Sequence, residues 1–262
     1  MKLFFREYGQ GEPIIILHGL FGLSDNWVTI ARRIAEKFHV FIPDQRNHGQ
    51  SLHSDTFNYF ALSADLQEFI EENQLRNPVL IGHSMGGKVA MQFALESAEM
   101  VKKLVVIDIS PGSYPVRSMH MDMVNAMLSV DLSKMSSRSE IEKIIAEKIA
   151  DERIRLFIMK NLYRINLEAF AWRPNLKAIV ANLEDISEQI AGNGKFEKPT
   201  LFIKGEKSDY VLDKDEELIY KLFPLAEIKT VEKAGHWVHA DAPVALCHIL
   251  SNFLGRECLL EG

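Results

Sequence analysis

Cysteine is scarce: the 262 residues hold only Cys247 and Cys258, too few for a disulfide framework and without the spacing of a metal site. Long apolar runs are missing as well. The longest is four residues, as in Ile14 to Leu17, far short of the ~20 that span a bilayer. The opening Met1-Lys2-Leu3-Phe4-Phe5-Arg6-Glu7 has charges on both sides of three apolar residues and no signal-peptide core, so a cytoplasmic setting is expected. Positive charge is not in excess. There are 30 Lys and Arg against 36 Asp and Glu, a formal charge of −6, which argues against nucleic acid as a partner. No repeat, low-complexity stretch or Gly/Ser/Pro-rich linker divides the chain. What is present is an ordinary globular balance, 47% apolar and 25% charged, in a length that suits one large α/β domain carrying an insertion. The composition leaves a monomer and a homodimer equally open.

Short β-branched runs alternate with helix-period segments through the first half. Pro13–Leu17, Val40–Ile42, Val79–Ile81 and Leu104–Ile107 read as strands. Between them, Trp27 to Lys37, Asn58 to Asn73 and Gly86 to Glu99 carry the i, i+3, i+4 spacing of amphipathic helices. Strands apolar on both faces and separated by single helices predict a mostly parallel sheet covered by helices on both sides. From about Gly112 to Phe196 the pattern is helical, as at Ile141, Ile144, Ile145 and Ile149. Strand signals resume at Thr200–Ile203 and Ile228–Val231, before a last helix at Val244 to Leu254. Residues 1–111 and 197–262 are therefore expected to form the core domain, and 112–196 a helical cap. Ligands of open α/β sheets bind at the carboxyl ends of the strands, so such an insertion would roof the site.

Gly82-His83-Ser84-Met85-Gly86 lies between a predicted strand and a predicted helix. A G-x-S-x-G match alone carries little weight, since on the order of 0.1 would arise by chance in this length at about 7% glycine. The strand-to-helix context is what makes Ser84 the candidate nucleophile. A tight turn holds the serine in strained backbone, with glycines two residues either side where Cβ atoms would collide. Serine needs a base within hydrogen-bond reach, and His236, in Ala234-Gly235-His236-Trp237 after the last strand, is the candidate. Of the other late histidines, His239 reads as structural and His248 as core. Two acids end strands on the correct edge to orient His236: Asp108 after Leu104–Ile107, and Asp209 after Leu201–Ile203. An oxyanion hole needs two preorganised N–H groups. Met85 offers one, and the loop His18-Gly19-Leu20-Phe21-Gly22 the other, from Leu20 or alternatively Phe21.

Asp44-Gln45-Arg46-Asn47-His48-Gly49-Gln50-Ser51 also follows a strand; its side chains suit a buried network bracing the loops better than substrate binding. Within the insertion, Met119, Met121, Met123, Met127 and Leu128 suit acyl chains or helix packing, and Leu156, Phe157, Phe170 and Trp172 carry the same two readings. Arg173 would meet a substrate anion or a cap carbonyl. Phe21, His83, Trp172 and Trp237 are the candidate substrate-contacting side chains.

The stretches HGLFG, DQRNHGQS, GHSMGGK, IDISP and AGHWVHAD, in that order along nearly the whole chain, resemble the α/β-hydrolase fold superfamily. Their spelling is similar to a small bacterial carboxylesterase branch acting on short acyl esters and acyl-CoA thioesters. In that branch the resemblance implies Asp108 as the acid of a Ser84–His236–Asp108 triad; the usual superfamily position falls in the Gly205–Asp209 turn, where Ser208 stands with Asp209 adjacent, so Asp209 stays open as the alternative acid. The resemblance also implies a small-molecule ester or thioester as substrate and no metal or organic cofactor. Carbon–carbon bond hydrolysis, perhydrolase-like chemistry and a non-catalytic small-molecule receptor share the fold and stand as alternatives.

Overall fold

The computed structural model describes residues 1–166, 169–192 and 194–255; Cys258 lies outside them. The chain begins with β1 (Phe5–Tyr8) and β2 (Glu12–Leu17), followed by α1 (Val28–Ile34), β3 (Phe38–Pro43), α2 (Tyr59–Glu72), β4 (Val79–His83), α3 (Met85–Glu96) and β5 (Lys103–Ile107). An inserted segment then holds α4 (Ser118–Leu128), α5 (Arg138–Lys148), α6 (Glu152–Met159), the hairpin β6 (Leu162–Arg164) and β7 (Phe170–Trp172), α7 (Leu176–Ala181) and α8 (Leu183–Ser187). The sheet resumes with β8 (Thr200–Gly205), α9 (Glu216–Leu222) and β9 (Ala226–Val231), and the described chain closes with α10 (Val238–Asp241) and α11 (Pro243–Leu254). No helix among the described residues is long and apolar enough to cross a membrane.

Seven strands pair in the order β1-β3-β2-β4-β5-β8-β9, all parallel except β1, which runs antiparallel to β3. Period-two alternation decides which layer each residue enters. Ile14, Ile16, Val79, Ile81, Val105 and Ile107 bury against Trp27, Ile30, Leu246 and Leu250 of the α1–α11 layer. Their neighbours Ile15, Leu17, Leu80, Leu104 and Val106 face α2 and α3, through Leu66, Phe69, Val89 and Phe93. Each such side chain stabilises the fold by roughly 1.5–3 kcal/mol through removal of apolar area from water. The parallel strands all end on one edge, so Leu20, Ser84 and Asp108 follow β2, β4 and β5 there, and His236 follows β9.

Every predicted strand lies within an observed one. Three strands carry no readable signal. β1 is four residues with Arg6 and Glu7 inside it, and β6 and β7 are three residues each. The segment from Gly112 to Phe196 is thus helical with a hairpin rather than helical throughout. The predicted helix from Trp27 begins as a 3-10 turn at Ser24–Trp27, and its α-helical part ends at Ile34. His248 is not core. It is exposed on α11 beside Asn252, while Leu246, Cys247, Leu250 and Leu254 form the buried stripe.

Candidate active site

Ser84 sits between β4 and α3 at φ 52°, ψ −122°, a region that L residues rarely enter. The elbow closes only because Gly82 and Gly86 lack side chains. A Cβ on Gly82 would lie 2.3 Å from the Gly86 carbonyl oxygen, and one on Gly86 2.4 Å from that of Leu17. The turn is held by the Ser84 N–H donating to Ile107 O at 3.0 Å.

From Ser84 a hydrogen-bonded chain runs inward. The hydroxyl is 3.0 Å from His236 Nε2, and His236 Nδ1 is 2.7 Å from Asp108 Oδ2. Asp108 is fully buried at φ 54°. Its other oxygen accepts from the Gly205 N–H at 2.8 Å, and the Ser208 hydroxyl donates to Oδ2. An aspartate with only donors around it remains an acceptor, so His236 is held with its proton on Nδ1 and its Nε2 lone pair toward Ser84. Asp209 is not part of this chain. It is 68% exposed and pairs with Arg117 at 2.6 Å, and that guanidinium holds its carboxyl below the usual aspartate range. Arg117 also stacks 4.1 Å above the Tyr210 ring, whose centroid lies 3.9 Å from that of the His236 imidazole, the two planes 20° from parallel.

The site opens into a cleft. Its walls are Leu20, Trp27, Met119, Met123, Phe157 and Trp237, with Asn26 and the histidines His18, His83, His120 and His239 between them. Among the described residues the Leu20 and Met85 N–H groups donate to no protein acceptor; the Met85 N–H is the first of α3 and has no intrahelical partner.

Residues 12–134 match the alpha/beta hydrolase fold family. The chain is 37% identical over 250 residues to the sn-1-specific diacylglycerol lipase ABHD11 of Xenopus laevis, covering 93% of this chain and 80% of that one. It is an α/β hydrolase. Esterase YbfF of Escherichia coli is 33% identical over 248 residues, 94% of each chain. A solved structure described as a marine microorganism esterase superposes with a TM-score of 0.94 at 42% identity, over 96% of this chain and 99% of that one. The hydrolase is of the carboxylesterase type that these relatives represent.

Two of the substrate-contacting candidates are absent from the cleft of this hydrolase. Trp172 turns away, its indole N–H donating to Met127 O at 3.1 Å. Phe21 is fully buried behind the wall, and its N–H donates to His48 Nε2 at 3.0 Å, so that group is already engaged and does not serve as the alternative oxyanion donor. His83 and Trp237 do line the cleft, with His83 Nε2 2.8 Å from His236 O. Of the apolar insertion residues, Met119, Met123 and Phe157 reach it. Met127 and Phe170 pack in the core, Leu128 and Leu156 are exposed, and Arg173 stacks over Tyr163.

The turn after β3 is a brace. Asp44 accepts from the Ser24 N–H at 2.6 Å and the Gln50 N–H at 2.9 Å, and Arg46 pairs with Asp65. His48 donates from Nδ1 to Arg46 O while accepting from Phe21, and His18 Nε2 accepts from the Gln45 N–H at 3.0 Å. Burial pushes His18 down to about 4 and His48 to about 3, so both are neutral at pH 7 and keep these acceptor roles. The Leu20 loop is thereby fixed from below. Burial likewise lowers His120 to about 4 and His239 to about 3, and drives His83 well below the ordinary histidine value.

The sequence reading missed four contributors: Ser208, Tyr210, His120 and the cleft-facing role of His239, which also stacks 4.4 Å from Trp27. His120 had a faint signal, lying next to Met119 and three residues from Met123 on one helix face. Tyr210 had none. Among the described residues no cluster of His, Cys, Asp and Glu is arranged to hold a metal ion.

Proposed function

We propose that this hydrolase cleaves short- to medium-chain acyl esters or thioesters through an acyl-enzyme on Ser84. The observation that carries the reading is the continuous Ser84–His236–Asp108 hydrogen-bond chain at the floor of a mainly apolar cleft. His236 Nε2 takes the hydroxyl proton as Ser84 Oγ attacks the acyl carbonyl, and Asp108 stabilises the imidazolium that forms. The oxyanion gains hydrogen bonds from Leu20 and Met85 N–H groups, the latter at the positive end of α3. His236 then protonates the departing alcohol or thiol. Water repeats the sequence on the acyl-enzyme and restores Ser84. Residues 112–196 act as a cap whose Met119, Met123 and Phe157 contact the acyl chain.

The test is initial rates on p-nitrophenyl esters from acetate to palmitate, for wild type and Ser84→Ala. Turnover peaking at short or medium chains and abolished by the substitution supports the reading. Absent turnover from a folded protein refutes it and favours carbon–carbon chemistry or ligand binding in the same cleft.

A further inference from the structure

Lys88 lies on α3, one turn beyond Ser84, and is fully buried. Among the described residues it has no carboxylate within ion-pair distance. Its ammonium donates to Gly112 O at 2.7 Å and to Glu188 O, and sits 4.6 Å from the centroid of the Tyr114 ring and 5.6 Å from that of Tyr59. Gly112 is where the chain leaves the sheet for the insertion, and Glu188 directly follows α8, the last helix of the insertion before the chain returns to β8. The two stems are tied together at the same level. Tyr114 N–H donates to Ser187 O at 3.0 Å, Ile190 N–H to Pro111 O at 3.1 Å, and the hydroxyls of Tyr59 and Tyr114 both donate to Ile186 O.

Burying an ammonium with only the Glu188 carboxylate near it, beyond ion-pair distance, is costly: burial pulls Lys88 down to about 7, and the hydrogen bonds and ring faces offset part of that cost. A methionine of similar length would fill the same space without that cost. What methionine lacks is the ability to grip two backbone carbonyls at once. The cation thus links the helix that positions Ser84 directly to both ends of the segment that supplies Met119, His120 and Met123 to the cleft.

We propose that Lys88 is a positioning residue: by clamping the two stems it sets the distance of α4 from Ser84, and so the acyl-chain range, without touching substrate. The inference rests on the reading of Ser84 as nucleophile and of the cleft as the acyl site. None of the hydrogen bonds that join Ser84, His236, Asp108 and Gly205 passes through the Lys88 ammonium, so small substrates are indifferent to its grip on the stems. Substrates long enough to reach α4 are not.

The experiment compares Lys88→Met with wild type on p-nitrophenyl acetate and octanoate, with the rate of Ser84 labelling by a small fluorophosphonate as the count of competent sites. KM for octanoate is expected to rise about tenfold, the scale of one lost charge-assisted hydrogen bond. Acetate turnover and labelling should change less than about threefold. Amide exchange across residues 112–128 should accelerate while that of β4 and β5 does not. Equal losses on both esters, or none, overturn the proposal. If Lys88→Met fails to fold, Tyr114→Leu, which removes one wall of the cage and leaves the cation, is judged by the same ratio. Turnover by wild type that survives Ser84→Ala would instead show the nucleophile reading to be at fault.

Discussion

Replacing Asp108 by asparagine should disable this hydrolase without unfolding it, and the hydrogen bonds around the carboxylate give the reason. Oδ1 accepts from the Gly205 N–H, a group that can only donate. An asparagine at this position must therefore turn its oxygen toward Gly205 and its amide nitrogen toward His236. The amide then donates to His236 Nδ1, forcing the imidazole proton onto Nε2, where it faces the Ser84 hydroxyl. The base is gone, although every atom stays near its place. The same change of tautomer in a serine–histidine–aspartate template lowers kcat about 10⁴-fold, or about 5.5 kcal/mol in the barrier. A loss of about 10³ to 10⁴ is expected here. Asp209→Asn removes only an exposed pair with Arg117, a contact worth on the order of 0–1 kcal/mol, and should stay within about fivefold of wild type. The assay is steady-state hydrolysis of p-nitrophenyl butyrate, with circular dichroism to confirm folding. A larger loss from Asp209→Asn than from Asp108→Asn would refute the reasoning, as would an Asp108→Asn enzyme within tenfold of wild type.

Three further outcomes follow from the same geometry. Tyr210→Leu removes the ring stacked on His236, and at about 0.5–1.5 kcal/mol for such a pair kcat should fall roughly 2- to 10-fold; an unchanged kcat would show that the stack does not steady the imidazole. Gly82→Ala puts a Cβ against the Gly86 carbonyl oxygen at 2.3 Å, so urea denaturation should register a loss on the order of 3 kcal/mol, and a loss below about 1 kcal/mol would mean that the elbow tolerates a side chain. Buried neutral histidines make the fold acid-sensitive, since His18 and His120 are held at about 4 and His48 and His239 at about 3. The unfolded chain takes up these protons near pH 6.5 and the folded one does not, so their contribution is complete above about 6.5 and is lost as pH falls toward the folded values, with a slope of up to about 1.4 kcal/mol per pH unit for each. Equal stability at pH 7.5 and pH 5 would contradict that.

Much of the site was legible because its chemistry is bound to local backbone. Ser84 needs glycines at Gly82 and Gly86 in a strand-to-helix turn, and that requirement is visible as a five-residue pattern. His236 and Asp108 could be placed near Ser84 because strand ends converge on one sheet edge, and the structure brings the three within hydrogen-bond distance. Asp108 and Asp209 could not be separated from the residues alone, because both follow strands at that edge; what separates them is that Asp108 is sealed under Gly205 and Ser208 while Asp209 faces solvent toward Arg117. Trp172 was misjudged because an indole suits a pocket wall and helix packing equally, and only the distance to Met127 O decides. The clamp at Lys88 was hidden for the same reason. Its partners, Gly112 and Glu188, are backbone carbonyls 24 and 100 residues away and leave no trace in residue type.

The acyl-enzyme can be looked for directly, by intact-protein mass spectrometry of samples quenched in acid during turnover of p-nitrophenyl butyrate. Wild type should gain the mass of one butyryl group, mapped by peptide digestion to Ser84, and Ser84→Ala should gain none. An adduct on another residue, or an equal adduct on Ser84→Ala, would contradict the assignment of Ser84 as the nucleophile.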